Sequence, residues 1–193
     1  MRAPLHDQEI ACQQVLVEDS SVFSIQWSVF PACLATELSP ETLLSRYLSY
    51  IRRCTISIIR PCMMPTGVEF RLFGTRLSLI SFLPTVTEGT SVALRICGGL
   101  LVQPRQCERG EMRFGVEEQP EGIRVSVVLS DYCPLLLGSS SPSTLRRWFY
   151  RITQAAIHRL VTVRFLILLH RELTGAKATI KVVNVTVRDG RPT

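Results

Sequence analysis

Few residues in this 193-residue chain carry the chemistry of a catalytic or metal site, and their spacing is uninformative. There are three histidines, His6, His158 and His170, and seven cysteines, Cys12, Cys33, Cys54, Cys62, Cys97, Cys107 and Cys133. No CxxC pair and no Cys/His spacing suited to zinc occurs, so we expect no metal and no cofactor. The odd cysteine count argues against a disulfide framework and suggests mostly small core residues, with Cys33 and Cys107 as the exposed thiols. No ordered Ser, His and Asp set is present. A general acid or base would have to come from Glu69, Glu111 or Asp131, the acids nearest inward-facing positions. Glu69 opposes the apolar set Val68, Phe70 and Leu72, which argues against it. The catalytic residues are therefore unknown, and the sequence favours a non-enzyme.

The polar residues with the strongest claim to a site lie on one long segment. Ser141 to Leu173 reads SPSTLRRWFYRITQAAIHRLVTVRFLILLHREL. Ser141 can cap it, Pro142 suits the first turn and Gly175 can stop it. Stepping about 100° per residue puts Leu145, Trp148, Phe149, Ile152, Ala155, Ala156, Leu160, Val163, Leu166 and Ile167 on one arc. Arg146, Arg147, Arg151, Gln154, His158, Thr162 and Arg164 fall opposite. Ile157, Val161, Phe165, Leu168 and Leu169 then make the second half apolar nearly all round, so a second segment or a subunit covers it. Arg159 and His170 sit among the apolar residues. Arg159 either snorkels or pairs at the edge, or neutralises an acidic ligand head beneath the helix. His170 suits a helix C-terminus, where the dipole favours a cation.

The rest of the chain supplies strands and one further helix. Phe23, Ile25, Trp27 and Val29 alternate with polar residues, predicting a strand over Ser21–Phe30. Ser39-Pro40-Glu41 starts a helix that runs to Arg53. Strands follow at Thr55–Arg60, Val68–Phe73, Arg76–Leu83 and Thr90–Val102, with an apolar-lipped loop at Cys62–Gly67 that contains Met63 and Met64. Gly98-Gly99 marks a bend. Glu111–Glu117 and Gly122–Ser130 form a hairpin, and Asp131–Ser140 is an apolar loop. Thr179–Val187 is a final strand. We expect one domain over 1–193, with a core at 20–175 and an added C-terminal strand at 178–188.

Composition limits the partners. The net charge is +6, from 22 Lys and Arg against 16 Asp and Glu, and lysine occurs at Lys177 and Lys181 alone. The arginines are scattered, and the aromatics of Arg146-Arg147-Trp148-Phe149-Tyr150-Arg151 belong to the core arc, which argues against nucleic acid. Mean hydropathy is +0.21, yet no apolar run approaches the ~20 residues of a membrane span. The N-terminal residues lack the apolar centre of a signal peptide. The expectation is a cytoplasmic protein with apolar surface left for a cavity or an interface.

The order strand, helix, antiparallel strands, long helix resembles the helix-grip fold of the START/polyketide-cyclase-like superfamily, SRPBCC. It is a likeness of pattern over about 150 residues, from Ser21–Phe30 through the helix beginning at Ser141. The added strand Thr179–Val187 and the single helix at Ser39–Arg53 depart from it. The resemblance implies an α+β fold in which a curved antiparallel sheet wraps around a long C-terminal helix. It also implies a cavity for lipids, sterols, polyketides or other apolar small molecules, and no fixed catalytic residues. Candidate ligand-binding residues are Arg159, Trp148, Tyr132, Arg95, Met63 and Met64. Three functions stay open: a carrier of a hydrophobic small molecule, a cyclase- or hydrolase-type enzyme, and a homodimerising interaction protein.

Overall fold

A computed structural model describes residues 7–19, 21–104, 109–137, 156–175 and 178–192. Eleven strands among them join in one sheet. They are β1 (Gln8–Leu16), β2 (Val22–Phe30), β3 (Ile59–Met64), β4 (Gly67–Leu72), β5 (Ser78–Phe82), β6 (Val86–Glu88), β7 (Ser91–Gly98), β8 (Glu111–Gln119), β9 (Gly122–Tyr132), β10 (Ile180–Asn184) and β11 (Arg191–Pro192). Two α-helices, α1 (Pro40–Cys54) and α2 (Ala156–Thr174), contribute to the same hydrophobic core. The main strand order is β10-β1-β2-β9-β8-β7-β5-β4-β3. Pairing is antiparallel except between β1 and β10, which run parallel. The fold class is α+β, with a large, mostly antiparallel sheet.

Alternation made β2 legible, and Ile10, Cys12 and Leu16 of its partner β1 reach the same core. The sequence reading missed most of β1 because Gln8–Leu16 is almost continuously buried. A strand covered on both faces loses its period-two signature. Its glutamines serve as ties: Gln8 Nε2 donates to the Leu166 carbonyl of α2 at 3.2 Å. Helix α1 begins as expected, with Thr42 N donating to Ser39 Oγ at 3.1 Å and Pro40 in the first turn.

The chain after α1 corrects the expected strand at Thr55–Arg60. Ile56 and Ser57 take φ values of 51° and 60°. These left-handed residues carry the chain out of the helix, with Ser57 N donating to Arg52 O at 2.8 Å. Strand β3 starts only at Ile59 and continues through Pro61, which needs no donor on an edge strand. The expected loop at Cys62–Gly67 is thus mostly strand, closed by a tight turn at Pro65-Thr66. Gly67 is required there, since a Cβ would stand 1.9 Å from the Phe82 carbonyl oxygen.

Strand β7 ends at Gly98, short of the expected Val102. Gly99 has φ 119°, and the β5–β7 register slips between Ser81 and Phe82. The following residues stay hydrogen-bonded to β5, with Leu101 N donating to Leu79 O at 3.0 Å. Between the expected strands Arg76–Leu83 and Thr90–Val102 lies the short strand β6. The β8–β9 hairpin turns on Pro120-Glu121, because Gln119 already pairs with Gly122. The expected final strand Thr179–Val187 is the shorter β10, which joins the sheet edge beside β1 and is followed by β11.

The expected helix start, Ser141–Ala155, lies outside the described residues. Within α2 the buried side chains are Thr162, Phe165, Leu166, Leu169 and His170, whereas Leu160 is 50% exposed. The inward stripe includes much of the face expected to be polar. Because this segment is apolar nearly all round, periodicity did not decide which side packs. Phe165 settles the orientation by meeting Tyr47 edge-on at 5.1 Å and Tyr50 at 5.6 Å, both on α1.

Candidate functional site

The sheet, α1 and the start of α2 line a half-open cavity of about 260 Å³. Its walls are mostly aliphatic and aromatic. Ile80, Phe82, Ile96, Met112 and Leu129 come from the strands, Ile51 from α1, and Ile157 and Val161 from α2. The tight exit from α1 and the slipped β5–β7 register lie beside this space, which no side chain of the described residues fills.

Four lining residues bring a polar group. Thr55 Oγ1 donates to Ile51 O at 2.7 Å and accepts from Ile59 N at 3.2 Å. Tyr132 Oη donates to Leu101 O at 2.8 Å. The Tyr47 phenol is deeply buried, and desolvation holds its pKa above the usual phenol range. His158 differs from these: its Nε2 is buried and has no hydrogen-bond partner. Burial pushes its pKa down to about 4, so the imidazole is neutral at pH 7. One turn on, Thr162 Oγ1 is also buried without a partner of hydrogen-bonding geometry among the described residues, but it does not line the cavity.

Of the expected site residues that are described, Tyr132 meets this cavity and Arg95, Met63, Met64 and Arg159 lie elsewhere. Trp148 lies outside the described residues. Arg95 is exposed and sits 3.7 Å from Glu111, on the side of β7 opposite Leu94 and Ile96. Met63 is 68% exposed, and Met64 Sδ accepts from the Arg71 guanidinium at 3.2 Å. Neither methionine lines the cavity.

Arg159 belongs to a second hollow of about 320 Å³ at the β1 edge, shared with Cys12, Gln13, Asn184 and Arg188. Its guanidinium donates to Asn184 Oδ1 at 2.9 Å. Burial raises the pKa of the Cys12 thiol, against the opposing pull of Arg159. The sequence reading missed His158 because its position on the helical wheel matched the arginines of the first half.

The acids considered for catalysis are engaged elsewhere. Glu69 pairs with Arg71 at 2.7 Å, Glu111 with Arg113 at 2.7 Å, and Asp131 with Arg188 at 3.2 Å. Among the described residues, no carboxylate and no cationic Lys or Arg lines the cavity. No group of three metal-ligating side chains occurs among them either. Cys33 is exposed as expected, but so are Cys54 and Cys97, and only Cys12 and Cys133 of the six described thiols are buried. Cys107 lies outside the described residues. No helix among them is long and apolar enough to cross a membrane.

No protein-family model matches the chain, and no curated protein sequence matches it. Among solved structures it is similar to CalU16 from Micromonospora echinospora. The crystal structure of that protein aligns at 13% identity and TM-score 0.32, over 63% of this chain and 67% of the other. Its solution NMR structure aligns at 10% identity and TM-score 0.40, over 91% and 78%. Likeness at this level transfers no residue role and no activity to this chain.

Proposed function

We propose that this chain is a helix-grip protein that binds a small apolar molecule between its sheet and helices. The observation that carries this reading is the 260 Å³ cavity, walled mostly by hydrocarbon and left unfilled by the side chains of the described residues. Apolar surface left facing a cavity is stabilised when an apolar ligand removes it from water. The run β2-β9-β8-β7-β5-β4-β3, with both helices in one core, supports the helix-grip assignment. The volume lies just below the ~300–1,000 Å³ typical of ligand pockets, which favours a single ring system or short acyl chain over a sterol. A buried imidazole with a pKa about 4 makes a weak general base at neutral pH, which favours binding over catalysis.

Native mass spectrometry of gently purified protein, followed by thermal shifts against small neutral apolar compounds, tests this reading. We expect a retained molecule or a stabilising compound, and loss of that response in Ile80→Trp, which fills the cavity. Absence of any bound molecule and of any shift across the library would overturn it.

Self-association is a second reading. It is favoured by exposed Ile157, Leu160 and Leu168 on α2 and by exposed Ile180 and Val182 on β10. A monomer by light scattering at micromolar concentration would remove it.

A further inference from the structure

We infer that the molecule taken up by this cavity is neutral and carries one hydroxyl group, which hydrogen-bonds to His158 Nε2. The inference rests on the proposed cavity-binding function and narrows it to a ligand class.

Three observations carry it. First, His158 Nε2 is the one buried side-chain nitrogen or oxygen lining the cavity, among the described residues, that lacks a partner. The neighbouring polar groups of Thr55 and Tyr132 are already engaged with backbone. A buried polar atom left unpaired is costly, and native proteins rarely leave one so. Second, a lone water molecule is a poor occupant, because it needs two to four polar partners and the neighbouring hydroxyls of Thr55 and Tyr132 already donate to backbone carbonyls. A ligand hydroxyl brings its own apolar body to fill the rest of the space. It also serves either neutral tautomer, accepting from an Nε2 proton or donating to a bare Nε2. Third, no charged side chain among the described residues lines the cavity, so a carboxylate or ammonium would be desolvated without a counter-ion. Burial keeps the imidazole itself neutral at pH 7.

Three compounds of one shape separate the possibilities: naphthalene, 2-naphthol and 2-naphthoate. Their affinities are measured by calorimetry at pH 7 for the native protein and for His158→Phe. In parallel, the imidazole nitrogen resonances of the native protein are followed during each titration, which removes dependence on the variant folding. We expect 2-naphthol to bind at least about tenfold more tightly than naphthalene, the scale of one good hydrogen bond. We also expect 2-naphthoate to bind more weakly than both, and the 2-naphthol preference to vanish in His158→Phe while naphthalene still binds. The His158 Nε2 resonance should move with 2-naphthol and not with naphthalene. Equal binding of naphthalene and 2-naphthol, a preference that survives in His158→Phe, a still Nε2 resonance with bound 2-naphthol, or preferred binding of 2-naphthoate would each overturn the inference and leave the cavity reading standing. If none of the three compounds binds, the cavity reading falls and this inference falls with it.

Discussion

His158 and Arg159 are adjacent in the chain and serve two different hollows. His158 turns into a hydrocarbon-walled cavity and keeps a buried nitrogen without a partner. Arg159 turns to the β1 edge, into a hollow of similar size whose polar groups largely satisfy one another. There the guanidinium meets Asn184, and Gln13 Oε1 accepts from Val187 N at 2.7 Å and Arg188 N at 2.9 Å. The edge hollow is a seam where the C-terminal segment is tied down, whereas the inner cavity holds an unmet demand. Volume alone would not separate them; the state of their polar atoms does.

The largest effect that sharpens this contrast concerns which face of α2 packs. Leu166 is fully buried and Leu160 is half exposed, although a helical wheel places them on one arc. Leu166→Ala should cost about 2–5 kcal/mol of unfolding free energy, and Leu160→Ala under about 0.5 kcal/mol. Denaturant unfolding of both variants measures this, and equal costs would mean that α2 is turned the other way.

The second effect belongs to His158. Its folded pKa of about 4 lies below the ordinary value of 6.5. Between these values the unfolded chain binds a proton that the native chain does not. Stability is therefore fully present above pH 6.5 and falls as pH drops toward 4, by up to roughly 3 kcal/mol. Unfolding curves at pH 7 and pH 4 should show this loss in the native protein and less of it in His158→Phe. Parallel losses in both would place the imidazole in water.

The smallest effect is on the other side. Arg159→Ala removes an exposed hydrogen bond to Asn184 and should change stability by less than about 0.5 kcal/mol, with no change in ligand response. A lost ligand response would move the site to the edge hollow.

Local signals made much of the frame readable. The alternation of Phe23, Ile25, Trp27 and Val29, the Ser39-Pro40 helix start and the Gly98-Gly99 break all fall where structural features occur. What stayed hidden depended on tertiary contact. Strand β1 carries no alternation because both its faces are covered. Ile56, a β-branched residue in a left-handed conformation, gave no turn signal in the sequence. The sequence reading picked Arg159 and passed over the neighbouring His158, because an arginine on an apolar arc draws attention as a ligand contact. A histidine and a threonine, His158 and Thr162, look solvated until Phe165 packs against α1 and turns them inward.

The measurement that tests the central claim most directly is a titration of the native protein with naphthalene, followed by methyl NMR. If the cavity between sheet and helices is the binding site, the methyl resonances of Ile80, Ile96, Met112 and Leu129 shift together and saturate, while those of Val15 and Val185 at the edge hollow stay in place. Shifts confined to Val15 and Val185, or no saturating shifts at all, would contradict it.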